Sequence, residues 1–165
     1  MWTWLLGAVL VFSDKDIREA AIKFLAMREY GRYELFVRLK QKFKTEDDAR
    51  LDRIQKTLES LEDAGYLSDR RFTESFVRAR IEKGYGPNYI RADLLGRGID
   101  SGIVEEVLRN HENDWLPVLT RLRNKKFAGV PVKDYKTKSK VFGYLARRGF
   151  TQGQIRSALE LHEDD

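Results

Sequence analysis

Between Trp115 and Arg156 the sequence carries Arg121, Arg123, Lys125, Lys126, Lys133, Lys136, Lys138, Lys140, Arg147, Arg148 and Arg156, and only Asp134 opposes them. A one-signed field of this kind recruits polyanions, either nucleic-acid phosphate or an acidic protein face. The rest of the chain does not share it. Residues 1–66 balance twelve Lys/Arg against twelve Asp/Glu, and residues 67–114 hold eight against nine. The net charge of +5 on 165 residues therefore belongs to the last third of the chain. Charge runs are usually ordinary solvated surface, but eleven cations to one anion is lopsided enough to favour a binding role.

Residues fit for catalysis are scarce. His111 and His162 fall near the ends of two different helices, where each is more simply a dipole partner than a base or a ligand. The absence of cysteine removes disulfides, thiolate metal sites and thiol nucleophiles together, and it fits a reducing, cytoplasmic setting. No His-Glu-x-x-His, phosphate-binding loop, nucleophile elbow or calcium loop is present. Gly84-Tyr85-Gly86 lacks a third glycine and a preceding strand, and Pro87 explains it as a helix start. The acidic pairs Asp47-Asp48 and Glu105-Glu106 fall in helix first turns, where capping and the helix dipole account for them. We expect no enzymatic activity, no metal and no cofactor. The apolar stretch Trp2 to Phe12 is well short of the ~20 residues that cross a bilayer. It also lacks the basic start and small-residue cleavage site of a signal peptide, so no membrane role is expected.

The elements that must hold these residues are all helical by their punctuation. Ser13 caps a first helix running to about Tyr30, and Gly31 opens a second carrying Leu35, Leu39 and Phe43. Thr45 starts a third, whose Leu51, Ile54, Leu58 and Leu61 form one apolar stripe, and Gly65 ends it. Ser68 or Asp69 caps a fourth, with Phe72, Phe76, Val77 and Ile81 inward. Gly86-Pro87 opens a fifth that Gly98 stops, and Asp100 or Ser101 begins a sixth. Asn113 or Asp114 caps a seventh helix, a looser segment follows from Ala128 to Tyr135, and an eighth helix ends at Gly149. Thr151 with Gln154 forms the capping box of a ninth.

The spacing also repeats. Ile90, Leu94, Gly98, Ile99, Val104 and Leu108 stand at steps of 4, 4, 1, 5 and 4, and Val141, Leu145, Gly149, Phe150, Ile155 and Leu159 stand at the same steps 51 residues later. Earlier in the chain Leu35 and Leu39 match Ile90 and Leu94, Tyr30-Gly31 matches Tyr85-Gly86, and Ile54 and Leu58 match Val104 and Leu108. A five-residue insertion separates those two matched blocks. The expected architecture is all-α, with three tandem three-helix repeats forming an elongated, curved array. An apolar extension over 1–13 precedes repeats over 14–66, 67–112 and 113–165, the last of them basic.

These motifs resemble the bacterial RecX family, modulators of the RecA recombinase. The resemblance rests on Arg28-Glu29-Tyr30-Gly31 with Glu34-Leu35 and on Ala64-Gly65-Tyr66-Leu67-Ser68-Asp69-Arg70-Arg71-Phe72. It continues in Gly84-Tyr85-Gly86-Pro87 with Ile90, Leu94 and Gly98-Ile99, and more weakly from Trp115 to Phe127 and through the last helix pair. It covers roughly Asp16 to Leu161, and the apolar start is the main departure. The resemblance implies a cytoplasmic protein that lodges in the groove of the RecA–single-stranded-DNA filament. There it blocks growth or promotes disassembly, lowering ATPase, strand exchange and coprotease activity, with roles in recombination, DNA repair and the SOS response. A monomer is expected. The alternative is a direct DNA-binding module, for which Phe142 and Tyr144 are the only candidate stacking residues on the basic segment.

Most of the signature residues have structural uses: Gly65, Gly84, Gly86 and Gly98 as caps or turns, Phe72 as core, Tyr66 and Tyr85 covering junctions between repeats. Arg28, Arg71, Arg78 and Arg80 either pair with local acids such as Glu74 and Glu82 or add partner contacts. The basic residues of the third repeat are the expected contacts with RecA, with DNA, or with both.

Overall fold

The computed structural model describes residues 12–128 and 134–160, and every regular element among them is helical. In chain order these are α1 (Asp14–Met27), α2 (Arg32–Phe43), α3 (Asp48–Asp63), α4 (Asp69–Glu82), α5 (Pro87–Gly96), α6 (Ser101–Asn110), α7 (Trp115–Lys126), α8 (Tyr135–Arg147) and α9 (Gln152–Glu160). A 3-10 turn, Glu112–Asp114, precedes α7. The chain divides into two compact units, Met1–Ser68 and Asp69–Asp165.

In the first unit α1, α2 and α3 close on Ile17, Leu35, Leu39, Ile54, Leu58 and Leu61, all fully buried. Burial of each such side chain is worth about 1.5–3 kcal/mol, which is what holds three short helices together. Ser13 caps α1 through a reciprocal box: its Oγ accepts from the Asp16 amide at 3.2 Å, and the Asp16 carboxylate accepts from the Ser13 amide at 2.7 Å. The helix stops at Met27, short of the expected Tyr30. Arg28 is extended there, so that its guanidinium lies 3.6 Å above the Tyr30 ring and 2.7 Å from Glu34. The start of α3 also differs from expectation. Asp47, not Thr45, is the cap, accepting from the Arg50 amide at 3.0 Å, while the Thr45 hydroxyl is turned inward and accepts from the Asp47 amide. Phe12 packs on Phe43 with ring centres 4.3 Å apart; the rest of the apolar start lies outside the described residues.

The second unit holds α4 to α9 around one core running from Phe72 to Ala158. The repeated apolar positions meet there: Ile90, Leu94, Ile99, Val104 and Leu108 are buried together with Val141, Leu145, Phe150 and Ile155, and Leu159 is partly buried. The matched glycines, Gly98 and Gly149, both have left-handed backbone, at φ +76° and +89°. Thr151 and Gln154 form the expected box, the Thr151 amide donating at 3.0 Å and the Gln154 amide at 3.2 Å.

The Gly-Tyr-Gly-Pro block does more than open α5. The Gly86 amide donates to the Arg148 carbonyl at 2.7 Å and the Asn88 amide to the Gly149 carbonyl at 2.9 Å. The start of α5 is thereby stitched to the turn that ends α8. A side chain at Gly86 would come within 2.4 Å of the Phe150 backbone nitrogen, and one at Gly149 within 2.4 Å of Tyr89. Tyr85 stacks on Tyr89 beside this contact at 4.2 Å, whereas Tyr66 stays 56% exposed.

Glu105 and Glu106 do not act as dipole partners. Each meets an arginine of another helix, Arg91 of α5 at 3.0 Å and Arg70 of α4 at 2.6 Å. These hydrogen-bonded guanidiniums hold both carboxyls below the usual glutamate range. A carboxyl with a depressed folded-state pKa contributes stability above its unfolded value, about 4.3, and loses it as pH falls through the folded one. The midpoint of thermal unfolding is expected to fall on acidification below about pH 4.3, with a shallower slope in the Glu105→Gln/Glu106→Gln variant. Equal slopes would show that the two pairs carry no pH-linked stability.

Candidate polyanion-binding surface

The two helices that carry most of the basic segment are α7 and α8. The first begins with Trp115, 3% exposed, and Leu119, fully buried, and in its last turn Lys125 and Lys126 are exposed while Arg123 is half-buried. The second is capped by Asp134, which accepts from the Thr137 amide at 2.9 Å. The Thr137 hydroxyl and then its amide, both hydrogen-bonding the Asp134 carboxyl, hold it below its usual value. The single anion among the cations is therefore a helix cap, a use that the expected loose segment up to Tyr135 hid.

Arg121 and Arg148 reach back to the end of α4. Arg121 donates to the Glu82 carbonyl at 3.3 Å and Arg148 to the Lys83 carbonyl at 3.2 Å, so both satisfy helix-end acceptors that α4 leaves open. Arg148 is further fixed against two rings, 5.2 Å from Tyr85 and 5.6 Å from Tyr144. Gly84, at φ +78°, lets α4 end tightly against α7; a side chain there would come within 2.7 Å of Leu122.

These contacts frame a notch of about 460 Å³ lined by Lys83, Arg121, Lys125, Lys126 and Arg148, with Glu82, Gly84, Leu122 and Tyr144 completing it. Among the described residues, none of those five cations is within ion-pair distance of a carboxylate. Many cations elsewhere are: Arg32 meets Glu59 and Glu62, Arg53 meets Asp14, Arg70 meets Glu106, and Arg91 meets Glu105.

The structure thus brings together Arg121, Lys125, Lys126 and Arg148 from the predicted set and adds Lys83. Lys83 directly precedes Gly84-Tyr85-Gly86-Pro87 but falls in a segment whose charges balance, so composition does not single it out. Lys136, Lys140, Arg147 and Arg156 are exposed on α8 and α9, away from the notch lining, and Arg123 and Lys138 are half-buried. Lys133 lies outside the described residues. Of the additional candidates, Arg28 is paired with Glu34, and Arg80 with Asp93 at 3.0 Å while lying 4.6 Å over Phe76. These partners differ from the expected Glu74 and Glu82. Arg71 and Arg78 are exposed on α4. Tyr144 stands in the notch wall, and Phe142 packs on the core.

His111 ends α6, with its Nδ1 2.6 Å from the Asp114 carboxylate, and His162 lies outside the described residues. Among the described residues, no group of three or more His, Asp or Glu could hold a metal ion, and no helix is long and apolar enough to cross a membrane.

Comparison with known proteins matches two segments of the chain to family models. Residues 68–108 match the family described as RecX, second three-helix domain, and residues 114–159 match RecX, third three-helix domain. Regulatory protein RecX of Halorhodospira halophila is 37% identical over 154 residues, covering 93% of this chain and 92% of that protein. The RecX of Pseudomonas entomophila is 37% identical over 150 residues, covering 89% and 94%. Among solved structures, RecX from Lactobacillus salivarius superposes with a TM-score of 0.79 at 22% identity, over 92% of this chain and 97% of that one, which speaks for the fold. The chain belongs to the RecX family of regulatory proteins.

Proposed function

We propose that this protein is a negative regulator of RecA, binding the RecA–single-stranded-DNA filament and blocking its growth or promoting its disassembly. Family membership supplies the regulatory setting. The observation that carries the binding mode is the set of five cations in one notch, none within ion-pair distance of a carboxylate among the described residues, with Glu82 the one acid in the lining. Paired surface charges contribute little to association, whereas unpaired ones of a single sign attract an anionic partner and steer its approach. Both components of a filament on DNA can answer that field, one with phosphate and the other with acidic side chains.

The test is RecA-dependent ATP hydrolysis on single-stranded DNA, titrated with this protein from zero to about one copy per RecA. The rate is expected to fall well before that ratio is reached, with no hydrolysis when this protein is present without RecA. An unchanged rate across the titration would overturn the assignment.

A further inference from the structure

We infer that a hollow between α1 and the end of α2 is the docking site of the chain's own apolar stretch, Trp2 to Val11. The site belongs to the first unit alone and does not depend on the filament reading. The hollow, of about 470 Å³, has a floor of Phe12, Ala20 and Phe43 and a rim of Asp16, Glu19, Lys23, Lys42 and Lys44. Three cations against two carboxylates leave the rim close to neutral, so it has little field with which to gather a polyanion. A second hollow adjoins it, sharing Glu19 and Lys23 and adding Ile22, which packs on the core from a partly exposed position. Glu19, Lys23 and Met27 follow one another at helical spacing on one face of α1, and Met27 is 78% exposed. From Asp16 to Met27 that face offers apolar contacts over about 17 Å of helix.

Continuity, composition and reach name the occupant. Phe12 ends the apolar stretch and is already seated, 7% exposed, with its ring 4.3 Å from that of Phe43. The same two rings form the floor of the hollow, so the chain leaves Phe12 toward Val11 at the hollow's edge. Trp2 to Val11 carries no ionisable side chain, and apart from Thr3 and Gly7 it is tryptophan, leucine, valine and alanine. Burying such side chains against an apolar floor is favourable, and a nearly neutral rim sets no charge against them. Ten residues span at most about 35 Å when extended, roughly twice the length of the face, so the stretch can turn back and lie along α1. Tethering adds to this, because a short linker holds its segment at an effective concentration of about a millimolar. A free apolar peptide at lower concentration would lose that competition.

The chain has no cysteine, so a single introduced one carries a bimane dye at a chosen place, where tryptophan in contact with the dye quenches it. Trp115, the remaining tryptophan, is buried in the core of the second unit. Lys23→Cys puts the dye on the rim, and Glu59→Cys, exposed on α3 outside the hollow's lining, is the control. In the full chain the dye at position 23 is expected to be dimmer by about threefold or more than in the same protein carrying Trp2→Phe/Trp4→Phe, since a docked tether keeps the rings at hand. The dye at position 59 is expected to be indifferent to that change. Leu5→Asp/Leu6→Asp keeps both tryptophans and the tether but makes the segment polar, and it is expected to restore emission at position 23. Equal brightness with and without the two tryptophans would overturn the site, as would quenching that survives Leu5→Asp/Leu6→Asp. Quenching that grows with protein concentration would assign the hollow to a second copy. Tryptophan emission that shifts to the blue only when phosphatidylcholine vesicles are added would assign the stretch to a lipid surface. Either result overturns docking within one chain. The labelled side chains are exposed, and circular dichroism verifies that each variant stays folded.

Discussion

Replacing Gly149 with alanine is expected to destabilise the second compact unit by about 3 kcal/mol or more, enough to unfold a large fraction of it under mild denaturant. Two costs coincide at this position. The backbone at φ +89° is left-handed, which costs an alanine roughly 1 kcal/mol. Its new methyl would also lie 2.4 Å from the Tyr89 backbone nitrogen and from the Tyr89 Cβ, and neither α5 nor the turn after α8 can yield without breaking the amide–carbonyl bonds that join them. Overpacking of that kind typically costs 1–3 kcal/mol. Two comparisons isolate the terms. Gly65 has nearly the same conformation, φ +75°, with nothing within 4 Å of an added Cβ, so Gly65→Ala measures the backbone cost alone. Gly86 has an ordinary φ of −88° and a 2.4 Å clash with the Phe150 nitrogen, so Gly86→Ala measures the steric cost alone. Urea denaturation of the three variants gives the ranking, with Gly149→Ala worst and Gly65→Ala mildest. Should Gly149→Ala cost no more than Gly65→Ala, the stitch between α5 and the α8 turn is not what holds this unit.

That stitch also shows what local pattern makes legible and what it hides. The repeat at 51 residues marks Gly98 and Gly149 as equivalent, because helix stops and apolar spacing are local properties that recur wherever the same unit recurs. In the structure the two glycines share a backbone conformation but not surroundings: Gly98 is exposed, and Gly149 is buried beneath Tyr89. No spacing rule carries that difference, which depends on two elements some sixty residues apart in sequence meeting backbone to backbone. Thr45 and Asp47 illustrate the same limit at short range. Both are good caps, and burial of the Thr45 side chain, a tertiary fact, hands the role to Asp47.

The candidate site divides in the same way. The charge excess of the third repeat is a property of composition and is visible without coordinates. The selection of Arg121, Lys125, Lys126 and Arg148 from eleven cations, and the recruitment of Lys83, follow from where α4 ends against α7 and α8. Pairing also removes candidates. Arg28 and Arg80 are tied to Glu34 and Asp93, acids six and thirteen residues away that only the folded chain brings to them.

Reversing charge at Lys125, Lys126 and Arg147 together is expected to raise the concentration needed to inhibit RecA-dependent hydrolysis by on the order of 100-fold or more, while leaving helicity intact. All three side chains are exposed, and none is held by a described ion pair, so Glu at each position is accommodated without repacking. The net charge would move from +5 to −1, since each of the three reversals removes two units. Arg148 differs from these three. Its bond to the Lys83 carbonyl and its place against Tyr85 make Arg148→Glu a lesion in the fold as well as in the field. Measured side by side, Arg148→Glu should lower the thermal midpoint, and the triple variant should not. Wild-type inhibition should itself weaken as salt is raised, because exposed charges a Debye length apart are screened, with that length about 10 Å at 0.1 M. Full inhibition by a folded triple variant, with wild-type salt dependence, would place the partner contact outside the basic face of the third repeat. Loss of inhibition without loss of fold ties it to the cations that the described structure leaves unpaired.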